Sequence, residues 1–225
     1  RTFDRLVLGT VGLPIPGTEI RIVDEQGRDL PQGRKGIVLC RGDQVMVGYH
    51  KRPEETAKVL SPDGWFNTGD LGRFTIRGEL SLTGRAKETI VLLGGENIEP
   101  SPIEDALKES PYLSQIMVVG QDKKHLGALI VPNFDAVRDW LAAQGAAGGT
   151  SPEEICKRDD VYALMKRELH RLMTEERGFK YYERIPRFAL LPREFAVGDE
   201  MTQTMKLKRN IITQRRAEEI ASLFR

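Results

Sequence analysis

An α+β chain is the fold class the sequence predicts: a strand-rich antiparallel subdomain, forming a partial distorted barrel, followed by a small mixed α/β carboxy-terminal domain. Three observations predict it. Short period-two segments crowd residues 1–83, a polar stretch GRAKE follows at 84–88, and beyond it apolar residues recur at helical spacing between strand-like runs. The segment 85–88 is too polar for a core and too short for a flexible linker, so it reads as a hinge between two packed bodies. The division expected is therefore 1–84, a hinge at 85–88, and 89–225.

In the first part, EIRIV at 19–23 alternates with period two and a turn containing Gly27 follows, the pattern of a half-buried antiparallel strand and its hairpin. GIVLC at 36–40 and VMV at 45–47 continue the alternation. Pro53, with Glu54 and Glu55 near the positive end of the dipole, opens a helix expected to reach Leu60, where SPDG at 61–64 stops it. In GWFNTGDL (64–71), Trp65 and Phe66 are expected to anchor a tight turn that leaves the Asp70 carboxylate facing a cleft. Strands at 71–75 and 79–83, joined through Gly78, lead to the hinge.

In the second part, TIVLL at 89–93 reads as a strand, and Gly94-Gly95 permits a backbone approach that a side chain would obstruct. Ser101, Pro102 and Glu104 combine a capping hydroxyl, a first-turn proline and an N3 glutamate, which predicts a helix over 102–109. Strands are expected at 115–119 and 126–131, a helix at 134–143 and a mobile loop at 145–150. Ser151 repeats the capping pattern before a short helix. Asp159 or Asp160 then caps a longer one, whose stripe of Val161, Leu164, Met165, Leu169, Leu172 and Met173 reads as core rather than as a partner surface. Residues 186–191 return to the sheet, and a basic helix runs from about Arg209 to Leu223. No segment repeats another.

Composition narrows the function. The 225 residues carry 34 basic and 33 acidic side chains, a net charge of +1, which describes a soluble globular protein and speaks against a general nucleic-acid role. Cys40 and Cys156 follow no metal-ligand spacing, the three histidines form no HExxH, and no apolar run approaches the roughly 18 residues of a membrane span. No metal site is expected. No signal peptide opens the chain, so an intracellular, reducing setting is the default. The opening RTFDRLVLGTVGLPIPG lacks an initiator methionine and reads as a loop entering a strand, as though a preceding segment had been removed.

Three charged residues could carry chemistry. Asp70 suits a sugar diol or a basic partner, and Arg85, a rigid fork of donors, suits a hydroxyl or phosphate oxygen; the alternative is a turn-capping acid and a surface ion pair. Alternation puts Lys206 and Lys208 on one side of an extended segment. One enters a cleft while the other faces solvent or a phosphate, or both belong to a solvated basic surface. RNA binding would recruit the same lysines with Arg215 and Arg216. Glu218 and Glu219 interrupt that stripe and no aromatic platform accompanies it.

Four blocks, in order, carry a resemblance. GDQVMVGYHKRPEET (42–56) resembles a GxxxMxGYxxxPExT stretch, GWFNTGDL (64–71) a W(F/Y)xTGDL motif, GRAKETIVLLGGENIE (84–99) a hinge with a glycine-rich turn, and MTQTMKLKR (201–209) a terminal lysine segment. Together the chain resembles the carboxy-terminal part of AMP-forming acyl-CoA synthetases, long-chain fatty acyl members of the adenylate-forming, AMP-binding family that includes firefly luciferase and nonribosomal peptide synthetase adenylation domains. The resemblance implies that 1–84 is the strand-rich end of a large AMP-binding domain and 89–225 a mobile carboxy-terminal domain. It also implies Asp70 as ribose-hydroxyl ligand of ATP and acyl-AMP, Arg85 as a neighbouring ribose or phosphate contact, and Lys87 as the hinge position. Gly94, Gly95 and Glu96 match the loop that approaches the active site and pantetheine tunnel. Lys206 matches the adenylation lysine, leaving Lys208 structural or facing CoA.

The implied reaction converts fatty acid, ATP and CoA to acyl-CoA, AMP and pyrophosphate, with Mg2+, in two half-steps that share one cleft. The implied partners are the fatty acid and CoA, with no nucleic acid, in a cytoplasmic protein for which peripheral membrane contact and oligomeric state are left open. The family's phosphate loop and the ATP-phosphate and magnesium sites belong before Arg1, so the 225 residues alone are expected not to adenylate a fatty acid. Long-chain members commonly show Thr-Pro-Thr-Leu-Lys, and Gln203 departs from that proline. The alternatives are transfer of the acyl group to a carrier protein or to oxygen, and a non-catalytic docking remnant. Retention of Asp70, Arg85 and Lys206 together argues against the remnant.

Overall fold

The computed structural model describes residues 7–145 and 151–225, and the chain divides between Thr89 and Ile90 into two units, each with its own core. In the first, β1 (Glu19–Val23) pairs antiparallel with β2 (Gly36–Arg41), with Ile22 opposite Val38. A short helix α1 (Pro53–Ala57) precedes β3 (Phe66–Phe74) and β4 (Leu80–Arg85), and the antiparallel sheet has the order β1-β2-β3-β4. The sheet stays open, with no closed barrel. Alternation buries Ile22, Val38 and Leu80 against Ile20, Leu30 and Phe74.

Three expectations for this unit are corrected. VMV at 45–47 forms no strand: the Val45 amide closes a turn onto the Gly42 carbonyl, and Val47 is 99% exposed. Helix α1 ends three residues early because Leu60 pairs with Phe66 instead of continuing the helix. The strand expected at 71–75 begins at Phe66, since Phe66 and Asn67 already pair with Cys40 and Leu39 of β2. Asp70 consequently lies within a strand and not in a tight turn.

In the second unit, the two-residue strands β5 (Ile90–Val91) and β6 (Asn97–Ile98) form a hairpin. The strand expected over 89–93 is cut short because the Leu92 amide turns to the Glu96 carbonyl at 3.0 Å. Helix α2 (Pro100–Leu107) follows with Glu99 at its N-cap and no side-chain cap, so neither Ser101 nor Glu104 serves as expected. Strands β7 (Leu113–Val119) and β8 (Gly127–Pro132) pair antiparallel, and helix α3 (Phe134–Ala143) is capped by Asn133. Ser151 and Glu154 form the predicted capping box of α4 (Pro152–Ile155). Helix α5 (Asp159–Leu172) has Arg158, not either aspartate, at its N-cap, and that arginine clamps the Asp160 carboxylate at 2.6 and 2.9 Å. The loop expected at 145–150 lies, apart from Gly145, outside the described residues.

Strand β9 (Arg187–Leu190) joins β8 in parallel, giving the order β7-β8-β9. The final helix is two, α6 (Arg209–Arg215) and α7 (Ala217–Ser222), broken at Arg216, whose guanidinium turns toward Glu200 at 3.8 Å. Alternation then sorts the side chains of the sheet into two cores. Ile116, Val118, Ala128, Ile130 and Phe188 pack with α2, α3 and the α5 stripe, together with Ile90, Leu92 and Ile98 of the hairpin. Met117, Val119, Leu129 and Val131 pack with Phe195, Met201, Ile212 and Leu223. A sheet apolar on both faces needs cover on both, and here it has it.

Candidate active site

The candidate residues fall in three places. The first is the β3–β4 pair, where Asp70 and Arg85 are directly opposite in register and Arg85 Nε lies 2.9 Å from Asp70 Oδ1. The strand bends locally to place the acid: Gly69 adopts a left-handed φ of 72°, its amide donates to Asn67 Oδ1, and the Asp70 amide donates to Thr68 Oγ1. Thr68 in turn donates to the Val38 carbonyl of β2 at 2.8 Å. Small polar side chains at 67 and 68 thus stand in for ladder bonds that the left-handed glycine disrupts. The carboxylate keeps 26% of its surface exposed and the arginine 49%, so the pair contributes at most about 1 kcal/mol to stability. Both groups remain able to meet a ligand. Lys87 follows, exposed, in the 3-10 turn Ala86–Glu88.

Trp65 supports this strand from one residue before its start. It is buried, and the guanidinium groups of Arg21 and Arg41 lie over its ring, 5.1 and 4.6 Å from its centroid.

The second place is the turn of the β5–β6 hairpin. Gly95 has φ 87°, and its amide donates to the Leu92 carbonyl. The Glu96 carboxylate folds back over the turn, where a Cβ at Gly94 would fall 2.3 Å from its Oε2. Leu93 and Val91 tie the hairpin to residues 121–123, through the Lys123 carbonyl, the Gln121 side chain and the Asp122 amide. The exposed glycine face is therefore held by a buried framework of Leu92 and Ile98.

The third place is a second hairpin, over 201–207. Met201 pairs with Leu207, the Thr202 amide donates to the Lys206 carbonyl, and the Met205 and Lys206 amides return to the Thr202 carbonyl and hydroxyl. Residues 206–208 form one extended arm of this hairpin, with Leu207 turned to the core between the two lysines, and the chain turns ahead of them at Met205, which has φ 57°. Lys206 is exposed, whereas Lys208 Nζ donates to the Gly198 carbonyl at 3.2 Å. Lys208 is tied back to its own segment; Lys206 is the one presented to solvent.

Within the second unit, the glycine hairpin belongs to the core on one side of the β7–β8–β9 sheet and the lysine hairpin to the core on the other. The structure does not bring Gly94–Glu96 and Lys206 together. It gives one small body two distinct chemical faces.

Residues 2–50 match the family model described as AMP-binding enzyme, and residues 87–144 match the model described as AMP-binding enzyme C-terminal domain. The chain carries domains of the AMP-binding enzyme family. It is 40% identical over 236 residues to long-chain-fatty-acid–[acyl-carrier-protein] ligase AEE15 of Arabidopsis thaliana, covering 100% of this chain and 30% of that protein. Identity to the long-chain-fatty-acid–CoA ligase FadD15 of Mycobacterium tuberculosis is 34% over 223 residues, 99% of this chain and 35% of the relative. Among solved structures, the A domain of the carboxylic acid reductase from Segniliparus rugosus, in complex with AMP and a co-purified carboxylic acid, superposes with a TM-score of 0.73 at 25% identity, over 93% of this chain and 32% of that one. The chain spans about a third of the length of the curated relatives it matches.

Sequence reasoning missed one element of the second unit. Glu104 of α2 is buried, its carboxylate held by Arg209 Nη2 at 2.5 and 2.6 Å and by the Val118 amide at 2.7 Å. Burial pushes its pKa up, while Arg209 and the Val118 amide hold it down. A signal was present: Pro100, Ile103, Glu104 and Leu107 form the buried face of α2, so the acid sits on the apolar stripe where a capping residue does not belong. Desolvation pushes the Cys40 thiol up and the Cys156 thiol up to about 11. Among the described residues, no cluster of three or more His, Cys, Asp or Glu could hold a metal ion, and no helix is long and apolar enough to cross a membrane.

Proposed function

We infer that the protein containing this chain is an ATP-dependent, AMP-forming long-chain fatty acid ligase that makes acyl-CoA. The observation that carries the reading is the pair of faces on the second unit, glycine hairpin on one side of the sheet and Lys206 hairpin on the other. Two half-reactions in one cleft need two linings, and a small body turning at Lys87 supplies them in succession.

In the first half-reaction a carboxylate oxygen attacks the α-phosphorus of ATP, the bond to the bridging oxygen of pyrophosphate breaks, and acyl-AMP forms. Lys206, exposed on a short and internally bonded hairpin, neutralises the charge that develops on the phosphate. Asp70 accepts from the ribose hydroxyls and Arg85 orients that carboxylate or contacts the ribose or phosphate. In the second, the glycine face of residues 94–96 lets the pantetheine arm approach, the thiol sulfur attacks the acyl carbon, its proton is released and AMP leaves. Magnesium accompanies ATP as a counter-charge. The described residues offer no ligand cluster for it, and no role in this chain is assigned to it.

The 40% identity to a relative named as an acyl-carrier-protein ligase favours a second acceptor, the phosphopantetheine of a carrier protein, with the same first half-reaction. The test uses the full-length protein. Palmitate-dependent exchange of pyrophosphate into ATP should fall roughly 100- to 1000-fold in Lys206→Ala, and Asp70→Ala should weaken ATP binding while changing stability by no more than about 1 kcal/mol. Undiminished exchange in Lys206→Ala overturns the reading. Supplying CoA or holo carrier protein to the wild type then decides the acceptor.

A further inference from the structure

The two faces of the second unit are joined by one buried ion pair. Glu104 lies on α2, which begins two residues after β6 of the glycine hairpin, and Arg209 opens α6, three residues after Lys206. They are 105 residues apart in sequence. Arg209 Nη2 contacts both Glu104 carboxylate oxygens, with side-chain exposures of 7% for Glu104 and 14% for Arg209. Val118 completes it: its amide donates to Glu104 Oε1 at 2.7 Å and its carbonyl accepts from Arg209 Nη1 at 3.1 Å. Because β7 is the outer strand of its sheet, these are the backbone groups a sheet edge leaves open. The staple therefore wraps the sheet edge and ties the elements covering one face to those covering the other.

Stability alone does not account for an ion pair here. Desolvating two charges offsets most of their attraction, and an apolar pair of similar volume commonly serves as well or better. What the charged pair adds is directionality: Nη2 reaches both carboxylate oxygens while Nη1 donates to the Val118 carbonyl, so the planar guanidinium is fixed from two of its nitrogens. From Arg209 the chain runs back to Lys206 with little slack. The Lys208 amide donates to the Glu200 carbonyl at 2.8 Å, Lys208 Nζ to Gly198, and Leu207 pairs with Met201.

We propose that Glu104 and Arg209 are positioning residues for adenylation, locking the root of the Lys206 hairpin to α2 and β7 so that the lysine is delivered at a fixed height above the sheet. This rests on the assignment of Lys206 proposed above. The glycine hairpin is held independently, by Leu92, Ile98 and the bonds to residues 121–123, so the pair bears on one half-reaction and not the other.

The test uses the full-length protein in two forms, the isosteric Glu104→Gln and the apolar double variant Glu104→Leu/Arg209→Leu, with Lys206→Ala as reference. Palmitate-dependent pyrophosphate exchange should lose kcat roughly 10- to 100-fold, as expected for a slightly misplaced catalytic group, with KM for ATP nearly unchanged. Thioester formation from a supplied acyl adenylate and CoA should stay within about threefold of the wild type, since no transition-state contact to that step is removed. Wild-type exchange in either folded variant overturns the inference, and so do parallel losses in both half-reactions or loss of the cooperative thermal transition in both variants, which assign the pair a structural role. If Lys206→Ala itself leaves exchange intact, the underlying reading fails first. A drop in Lys206→Ala beside wild-type exchange in both pair variants removes the positioning role alone.

Discussion

The two units solve the burial problem differently. The second has a sheet covered on both faces, with Leu129, Ile130, Val131, Ile98 and Met165 fully inaccessible. The first has a four-stranded sheet whose buried cluster is Ile22, Val38 and Leu80, while Leu8, Val11, Ile15, Val47 and Ile76 lie exposed. Single exposed apolar residues are ordinary, and what sets the first unit apart is the small size of the cluster it buries beside them. The functional groups follow the same division. Asp70 and Arg85 sit on the thinly covered sheet as a half-exposed pair, and the two faces of the second unit sit on a body rigid enough to present them.

The largest effect expected from this contrast is a difference in autonomy. Residues 90–225 produced alone should give one cooperative thermal transition and little dye-accessible apolar surface, as their two filled cores require. Residues 1–89 produced alone should bind a hydrophobic dye and melt without a cooperative step. A sharp transition in residues 1–89 would break the comparison. Point substitutions sharpen it. Leu129→Ala in the second unit should cost about 2 to 5 kcal/mol in denaturant unfolding, because Leu129 is fully buried in the middle strand. Ile76→Ala in the first unit, at a residue 95% exposed, should change stability by about 0.5 kcal/mol or less.

How much of this was legible from the residues divides along the same line. In the second unit the α5 stripe, helix α3, the Ser151 capping box and strands β7 and β8 were readable because local period and burial agree. In the first, EIRIV and GIVLC were readable, but VMV at 45–47 carried the same alternation without a partner strand, and period alone does not reveal whether a partner exists. The candidate site was legible as a set of residues and not as geometry. GWFNTGDL named Asp70 while hiding that it pairs in register with Arg85, a non-local fact of β3 and β4. The lysine segment named Lys206 while hiding the turn at Met205 that folds 206–208 back along 200–202, and the bond that ties Lys208 to Gly198. Glu104 was misread because its position three residues after Ser101 fits a capping box; the competing signal, its place on the apolar face, needed a partner 105 residues away to make sense.

The smallest effect distinguishes the helix starts of the two units. Helix α4 begins with a full capping box: Ser151 Oγ accepts from the Glu154 amide at 3.3 Å, and the Glu154 carboxylate receives the Ser151 amide. Helix α1 begins at Arg52, which supplies no side-chain cap, and its hydroxyl at Thr56 is spent on the Arg52 carbonyl and the Tyr49 amide instead. Removing the first cap leaves an unpaired donor at the end of a helix that buries Ile155 in the main core. Ser151→Ala should therefore cost about 1 kcal/mol in thermal or denaturant unfolding. Arg52→Ala removes no capping bond and should stay within about 0.5 kcal/mol of the wild type. Equal losses at the two positions would mean that helix starts in both units draw their stability from the backbone and its burial, and that local capping does not separate the self-sufficient unit from the thinly covered one.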